Sequence, residues 1–308
     1  MQLRAALLAC LAAIGFAGAV RAQETQTEEM ERRAKIIATA PPNAAKVLFG
    51  KQQTAAPMSA RSIGSFARGC MAGAQALPID GDTWQVMRLS RNRNWAQPEM
   101  VDLLERLSKQ GRSVGWNGLL VGDMSQPRGG PMLTGHLSHQ IGLDADVWLT
   151  PMPSRTLSRN ERETMSATNM VNRQWMDVDP SVWTSEHLAI IREAARQREV
   201  TRIFVNPAIK TALCRDAGAD RGWLSKVRPM WGHNYHFHVR IACPAGDASC
   251  KDQDPPGSGD GCGKELTDWL ALQHKAIFGP KKEGKPKPER WLTLDDLPAE
   301  CRQVLVAK

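Results

Sequence analysis

Two short stretches of this chain alternate apolar and polar side chains so regularly that each reads as a strand with one face in a core. In His236-Phe237-His238-Val239-Arg240-Ile241, Phe237, Val239 and Ile241 fall on one side, and His236, His238 and Arg240 on the other. Leu143-Asp144-Ala145-Asp146-Val147-Trp148-Leu149 follows the same rule, with Asp144, Asp146 and Trp148 opposite an aliphatic face. Aspartate is a poor strand residue, so two inside an apolar strand need a reason. Just upstream, the Gly- and Pro-rich segment 127–135 leads into His136-Leu137-Ser138-His139. Histidines 136/139 and 233/236/238 therefore form two clusters, and the first adjoins the acidic strand.

Neutral imidazole and carboxylate are the ligands of a catalytic zinc, typically three from the protein with a fourth position left for water. One histidine alone is usually an ordinary buried residue; clusters on polar strand faces point to a metal. The chain has no H-E-x-x-H helix motif and no G-x-S-x-G elbow. Segment 255–263 is glycine-rich but lacks the Lys-Ser/Thr that a phosphate loop requires.

Residues 1–22 open with Arg4, run without charge from Ala5 to Val20 and reach Val20-Arg21-Ala22. A basic start, a short apolar run and a small-residue cleavage site describe a signal peptide, too short and Ala/Gly-rich to span a membrane. The mature protein is thus expected to be exported and soluble, with no stable membrane insertion. Removing Cys10 with the leader leaves six of the seven cysteines, an even number without a C-x-x-C pair. Six cysteines in an oxidising compartment favour disulfides, with fifteen possible pairings. Cys243 and Cys250, close in sequence across a turn-like stretch, are the easiest local pair. The net charge of +8 is scattered along the chain, and export argues against nucleic acid as a partner.

Segment 23–58 reads as a helical or loose lead-in, 59–250 as one catalytic domain, and 251–308 as a Pro/Gly/Lys-rich extension that Cys301 staples back. Pro98 opens a helix with Met100, Leu103, Leu104 and Leu107 on one face and Gly111 at its end. Thr184 or Ser185 caps a second, with Leu188, Ile191 and Ala195 aligned, and 267–278 suggests a short third. Strands are expected at 119–122, 143–149, 202–205 and 236–243. Helices between irregularly spaced strands give an α+β fold around one mainly antiparallel sheet.

His139 and Asp146, followed far downstream by His236-x-His238, resemble the lysostaphin and D-Ala-D-Ala metallopeptidase superfamily. The wider stretch from Gly135 to Trp148 resembles the penicillin-insensitive murein endopeptidase family. So do Arg202 to Lys210, Val227-Arg228-Pro229 through Gly232-His233, and Gly261-Cys262-Gly263. The resemblance runs roughly from Cys70 to Cys301. It implies zinc on His139, Asp146 and His238, with His236 beside the metal as the proton-transfer or oxyanion group. His233 is implied as a further active-site histidine, and His136 as another that touches a second metal. It further implies a periplasmic enzyme cutting D-alanyl–diaminopimelyl cross-links of peptidoglycan, and disulfides Cys70–Cys301, Cys214–Cys262 and Cys243–Cys250. Asp144 is read either as the orienter of a ligand histidine or as a backbone acceptor in a turn. Two other readings stay open, a non-catalytic peptidoglycan-binding module and a periplasmic zinc carrier; an oligomer is compatible with all three.

Overall fold

The computed structural model describes residues 26–280 and 291–308. Segment 1–22, expected to be a signal peptide, and most of the Lys/Pro stretch 279–290 lie outside the described residues. Among those described, no helix is long and apolar enough to cross a membrane.

The helices are α1 (Gln26–Thr39), α2 (Ala45–Gly50), α3 (Pro98–Ser113), α4 (Arg159–Thr164), α5 (Ser185–Arg196), α6 (Pro207–Asp216), α7 (Lys264–Phe278) and α8 (Glu300–Val306). The strands are β1 (Arg61–Ser65), β2 (Arg68–Ala72), β3 (Gln75–Ala76), β4 (Asp80–Gly81), β5 (Trp84–Val86), β6 (Trp95–Ala96), β7 (Leu119–Val121), β8 (Asp144–Trp148), β9 (Val200–Val205), β10 (Val227–Pro229) and β11 (His236–Ile241). Seven of them form one sheet in the order β10-β9-β11-β8-β7-β5-β4. Only the β10–β9 and β5–β7 pairings are parallel, so the α+β, mainly antiparallel expectation is met.

The two alternating segments are the adjacent central strands β8 and β11. Their antiparallel register sets His238 opposite Asp146 and Arg240 opposite Asp144. A slip of one residue would turn every ligand candidate into the apolar face, so burial of that face locks the register. Ala145, Val147, Phe237, Val239 and Ile241 join Leu103, Leu104 and Leu107 of α3 and Ile190, Ile191 and Ala194 of α5 in the main core. The sheet's polar face is buried as well, because the excursion between β7 and β8 folds across it.

Element ends shift by a few residues for identifiable reasons. Gly111 does not end α3, which runs on to Ser113; it packs toward Gly118 and Leu119. Strand β11 stops at Ile241, just past the register shift between Arg240 and Ile241. Helix α6, which apolar periodicity does not announce, is started by its termini: Asn206 accepts the Ala208 N–H and Pro207 fills the first turn.

The three disulfides are Cys70–Cys301, Cys214–Cys262 and Cys243–Cys250. The first joins β2 to α8 in a separate small core with Ile63, Leu297 and Val304. The second is one of several ties on the 251–263 loop. Arg228 donates to Gly257 O and pairs with Glu265, and Lys210 donates to Asp260 O at 2.6 Å. Gly261 sits at φ +69°, where a Cβ would come within 2.7 Å of the Arg228 guanidinium, so the Gly261-Cys262-Gly263 word has a steric reason.

Candidate metal centre

The β8–β11 register and the overlying excursion bring His136, His139, Asp146, His233, His236 and His238 to one place, all six of the site residues named from the sequence. His139 and His233 adopt left-handed backbone conformations, φ 67° and 53°, which residues bearing a Cβ seldom do. Such strain persists only where the surroundings enforce it, and for His139 they do. Its N–H donates to Asp144 Oδ2 at 3.0 Å, and its ring Nδ1 lies 2.8 Å from Met124 O.

Those contacts decide which nitrogens are free. A carbonyl oxygen only accepts, so His139 Nδ1 carries the proton and Nε2 is bare. His238 Nε2 lies 2.9 Å from Asp144 Oδ1 but forms no hydrogen bond with it, because the contact is bent away from the N–H direction. His139 Nε2 and His238 Nδ1 face each other at 3.2 Å, within hydrogen-bond distance. Asp146 Oδ1 is 3.5 Å from the first and 3.4 Å from the second, and it is buried without a hydrogen-bond partner. Three potential ligand atoms this close together need a positive charge among them, a proton or a metal cation. For zinc–ligand bonds of about 2.0–2.2 Å, tetrahedral ligands stand about 3.3–3.6 Å apart, close to the spacing here. The residues fit the metal. His136, His139 and Asp146 form a looser group, with ligand atoms within 4.8 Å, in which His136 Nδ1 reaches the other carboxylate oxygen at 3.6 Å.

Protonation favours the same use. Burial pushes His236 down to about 3 and His238 down to about 4, so both are neutral near pH 7. Burial opposes charge on His139 most strongly of any single cause, but Asp146, Asp144 and Asp123 together outweigh it and raise that pKa; a bound metal would displace this proton. Asp146 is itself held well below the usual carboxylate range, against burial, by the ring of histidines. Asp144 is held low in the same sense, mainly by Arg240, whose Nε and Nη2 donate to its two oxygens at 2.7 and 2.9 Å. Asp144 accepts the His139 backbone N–H and lies 2.9 Å from the His238 ring nitrogen.

A cleft of about 360 Å³ opens over this centre. His236 Nε2 is 3.5 Å from Asp146 Oδ2, and the His233 ring stacks near it at 4.8 Å. His136 Nε2 meets Asp123 Oδ2 at 3.0 Å, and Asp123 also pairs with Arg91 and Arg93 at 3.0 and 2.8 Å. Glu29 of α1 pairs with Arg91 and accepts from Thr134 Oγ1 at 3.0 Å. Sequence reasoning did not single out Asp123, Glu29 or the Arg91–Arg93 pair. Arg240 carried a signal, since alternation puts it on the histidine face; Asp123, just past a short strand, carried none.

The penicillin-insensitive murein endopeptidase family matches residues 62–306 of the chain. A penicillin-insensitive murein endopeptidase of Salmonella heidelberg is 46% identical over 249 residues, covering 81% of this chain and 87% of that protein. One of Haemophilus influenzae is 46% identical over 257 residues, covering 80% and 82%. One of Salmonella typhi is 45% identical over 249 residues, covering 81% and 87%.

Proposed function

The chain belongs to the penicillin-insensitive murein endopeptidase family, and from that premise we propose that it is a zinc-dependent, periplasmic hydrolase of D-alanyl–diaminopimelyl cross-links. The observation that carries the metal is the triangle of His139 Nε2, Asp146 Oδ1 and His238 Nδ1, with sides of 3.2–3.5 Å. Bound there, zinc would polarise the scissile carbonyl and lower the pKa of a water to about 7.

The remaining work falls to side chains of this chain. His236, neutral and at the cleft floor, offers one ring nitrogen as a donor to the developing oxyanion and the other as an acceptor for a proton. His233 stands beside it to pass that proton to the departing amine. Water oxygen becomes the second carboxylate oxygen of the D-alanyl end, and the diaminopimelyl nitrogen leaves as an amine. No serine is acylated, so a β-lactam has nothing to trap.

Metal analysis of the purified mature protein, combined with digestion of cross-linked muropeptide dimers, tests this reading. About one tightly held zinc per chain is expected, with activity lost to a chelator and restored by zinc. Affinity should fall with acid, about tenfold per pH unit for each ligand proton that must be displaced, starting from the raised pKa of His139. A metal-free protein that cleaves the dimers at full rate would refute the metal assignment. The His236→Ala variant should keep its zinc and lose about 100-fold or more in turnover. Loss of zinc from that variant would instead make His236 a ligand.

A further inference from the structure

Arg91 and Arg93 are neutralised within the cleft by Glu29 and Asp123, but Arg88, on the same segment and lining the same cleft, meets no carboxylate among the described residues. The residue is buried, 8% exposed. Backbone carbonyls alone hold it: Nη1 donates to Arg162 O at 3.0 Å and to Glu163 O, and Nη2 to Met165 O at 2.9 Å. An arginine has five N–H donors, so two are uncommitted here, the Nε–H and one on Nη2. Those two nitrogens share one edge of the planar group, the edge that grips a carboxylate with two parallel hydrogen bonds. Its backbone is left-handed, φ 56°, a conformation that a residue with a side chain adopts only when its surroundings enforce it.

The Arg88 guanidinium lies 5.3 Å from the centre of the Trp148 ring. Trp148 is two positions along β8 from Asp146 and on the same face, so it stands about 7 Å from the metal ligand, one residue pair away. Tyr235 borders the same end of the cleft, with its ring 4.6 Å from that of His236. It is the chain's one tyrosine, and its hydroxyl has no hydrogen-bond partner among the described residues. A buried cation without an anion and an idle hydroxyl therefore line the same cleft as Asp146 and His236.

We propose that Arg88, assisted by the Tyr235 hydroxyl, is the subsite for a free carboxylate of the substrate, borne on the carbon whose amine the hydrolysis releases. This rests on the endopeptidase reading and deepens it. In a D-alanyl–diaminopimelyl cross-link that carbon carries such a carboxylate, and seating it beside Trp148 sets the scissile amide over the metal ligands. Arg88 selects which amide is cut; it takes no part in the proton transfers.

The test uses the zinc-loaded mature protein and two muropeptide dimers that differ only in whether this carboxylate is free or converted to a carboxamide. The wild type should favour the free acid by at least about tenfold in kcat/KM, the scale of a charge-assisted hydrogen-bond pair. Arg88→Lys, which keeps the charge but loses the fork, should cut that ratio to about a third or less, mainly through KM. Tyr235→Phe, which removes one oxygen and leaves the ring packing, should lower the ratio about threefold with zinc content and melting temperature unchanged. Equal cleavage of both dimers by the wild type overturns the subsite while sparing the endopeptidase reading. A ratio left at the wild-type value by both variants overturns it too. Cleavage of neither dimer by zinc-loaded wild type sinks the endopeptidase reading and this one with it.

Discussion

Replacing His238 with alanine is expected to leave a folded protein that no longer retains zinc through purification and has lost at least about 1,000-fold in muropeptide turnover. His238 supplies one corner of the donor triangle, and its other ring nitrogen lies against Asp144. Its removal leaves two ligands, too few for a site that keeps a position for water. The effect on folding should be milder, since the apolar face of β11 keeps Phe237, Val239 and Ile241 in the main core. Circular dichroism would check the fold, and metal analysis of the same sample would check the ligand. A folded variant holding a full equivalent of zinc would remove His238 from the ligand set.

The largest effect on stability is expected from the Cys70→Ala/Cys301→Ala double variant. That bridge spans a sequence separation of 231 residues, and the chain-entropy account gives about 5 kcal/mol for a loop of that size. Typical total stabilities are about 5–15 kcal/mol, so the loss would be a large share. It also has a local reason. Helix α8 has seven residues and buries only Cys301 and Val304, too little to hold a helix that short in place without its covalent tie. At about 2–4 °C per kcal/mol, the melting temperature should fall by roughly 10–20 °C. Zinc should stay bound at room temperature, because the bridge belongs to a separate small core and not to the one beneath the ligands. Cys243–Cys250, with a separation of 7, is worth about 2.5 kcal/mol by the same account. A double variant that melts within 3 °C of wild type would mean that other contacts hold α8.

The faces of β8 and β11 were legible because alternation is a local property: each side chain's direction follows from its neighbours in the strand. From that pattern came the identity of the clustered histidines, the placement of Asp144 and Asp146 with them, and the choice of metal over serine or cysteine chemistry. The Cys243–Cys250 pair was readable for the same reason, since few residues separate its partners. The other two pairings were open to the residues alone and came through family resemblance, because loops of 48 and 231 residues close in ways that nearby sequence does not dictate.

What local pattern could not supply is which atoms of these side chains converge. Nε2 of His139 meets Nδ1 of His238 at 3.2 Å because Met124 O holds the other nitrogen of His139 and Asp144 lies against the other nitrogen of His238, 94 positions away along the chain. The arginines were equally opaque. Among 40 Lys and Arg residues scattered along the sequence, nothing separates Arg88 from Arg91 and Arg93. The fold brings Asp123 and Glu29 to the latter two and leaves Arg88 to backbone carbonyls. Pairing of charges and choice of tautomer depend on distances of about 3 Å between groups far apart in sequence, and the packed chain alone sets those distances.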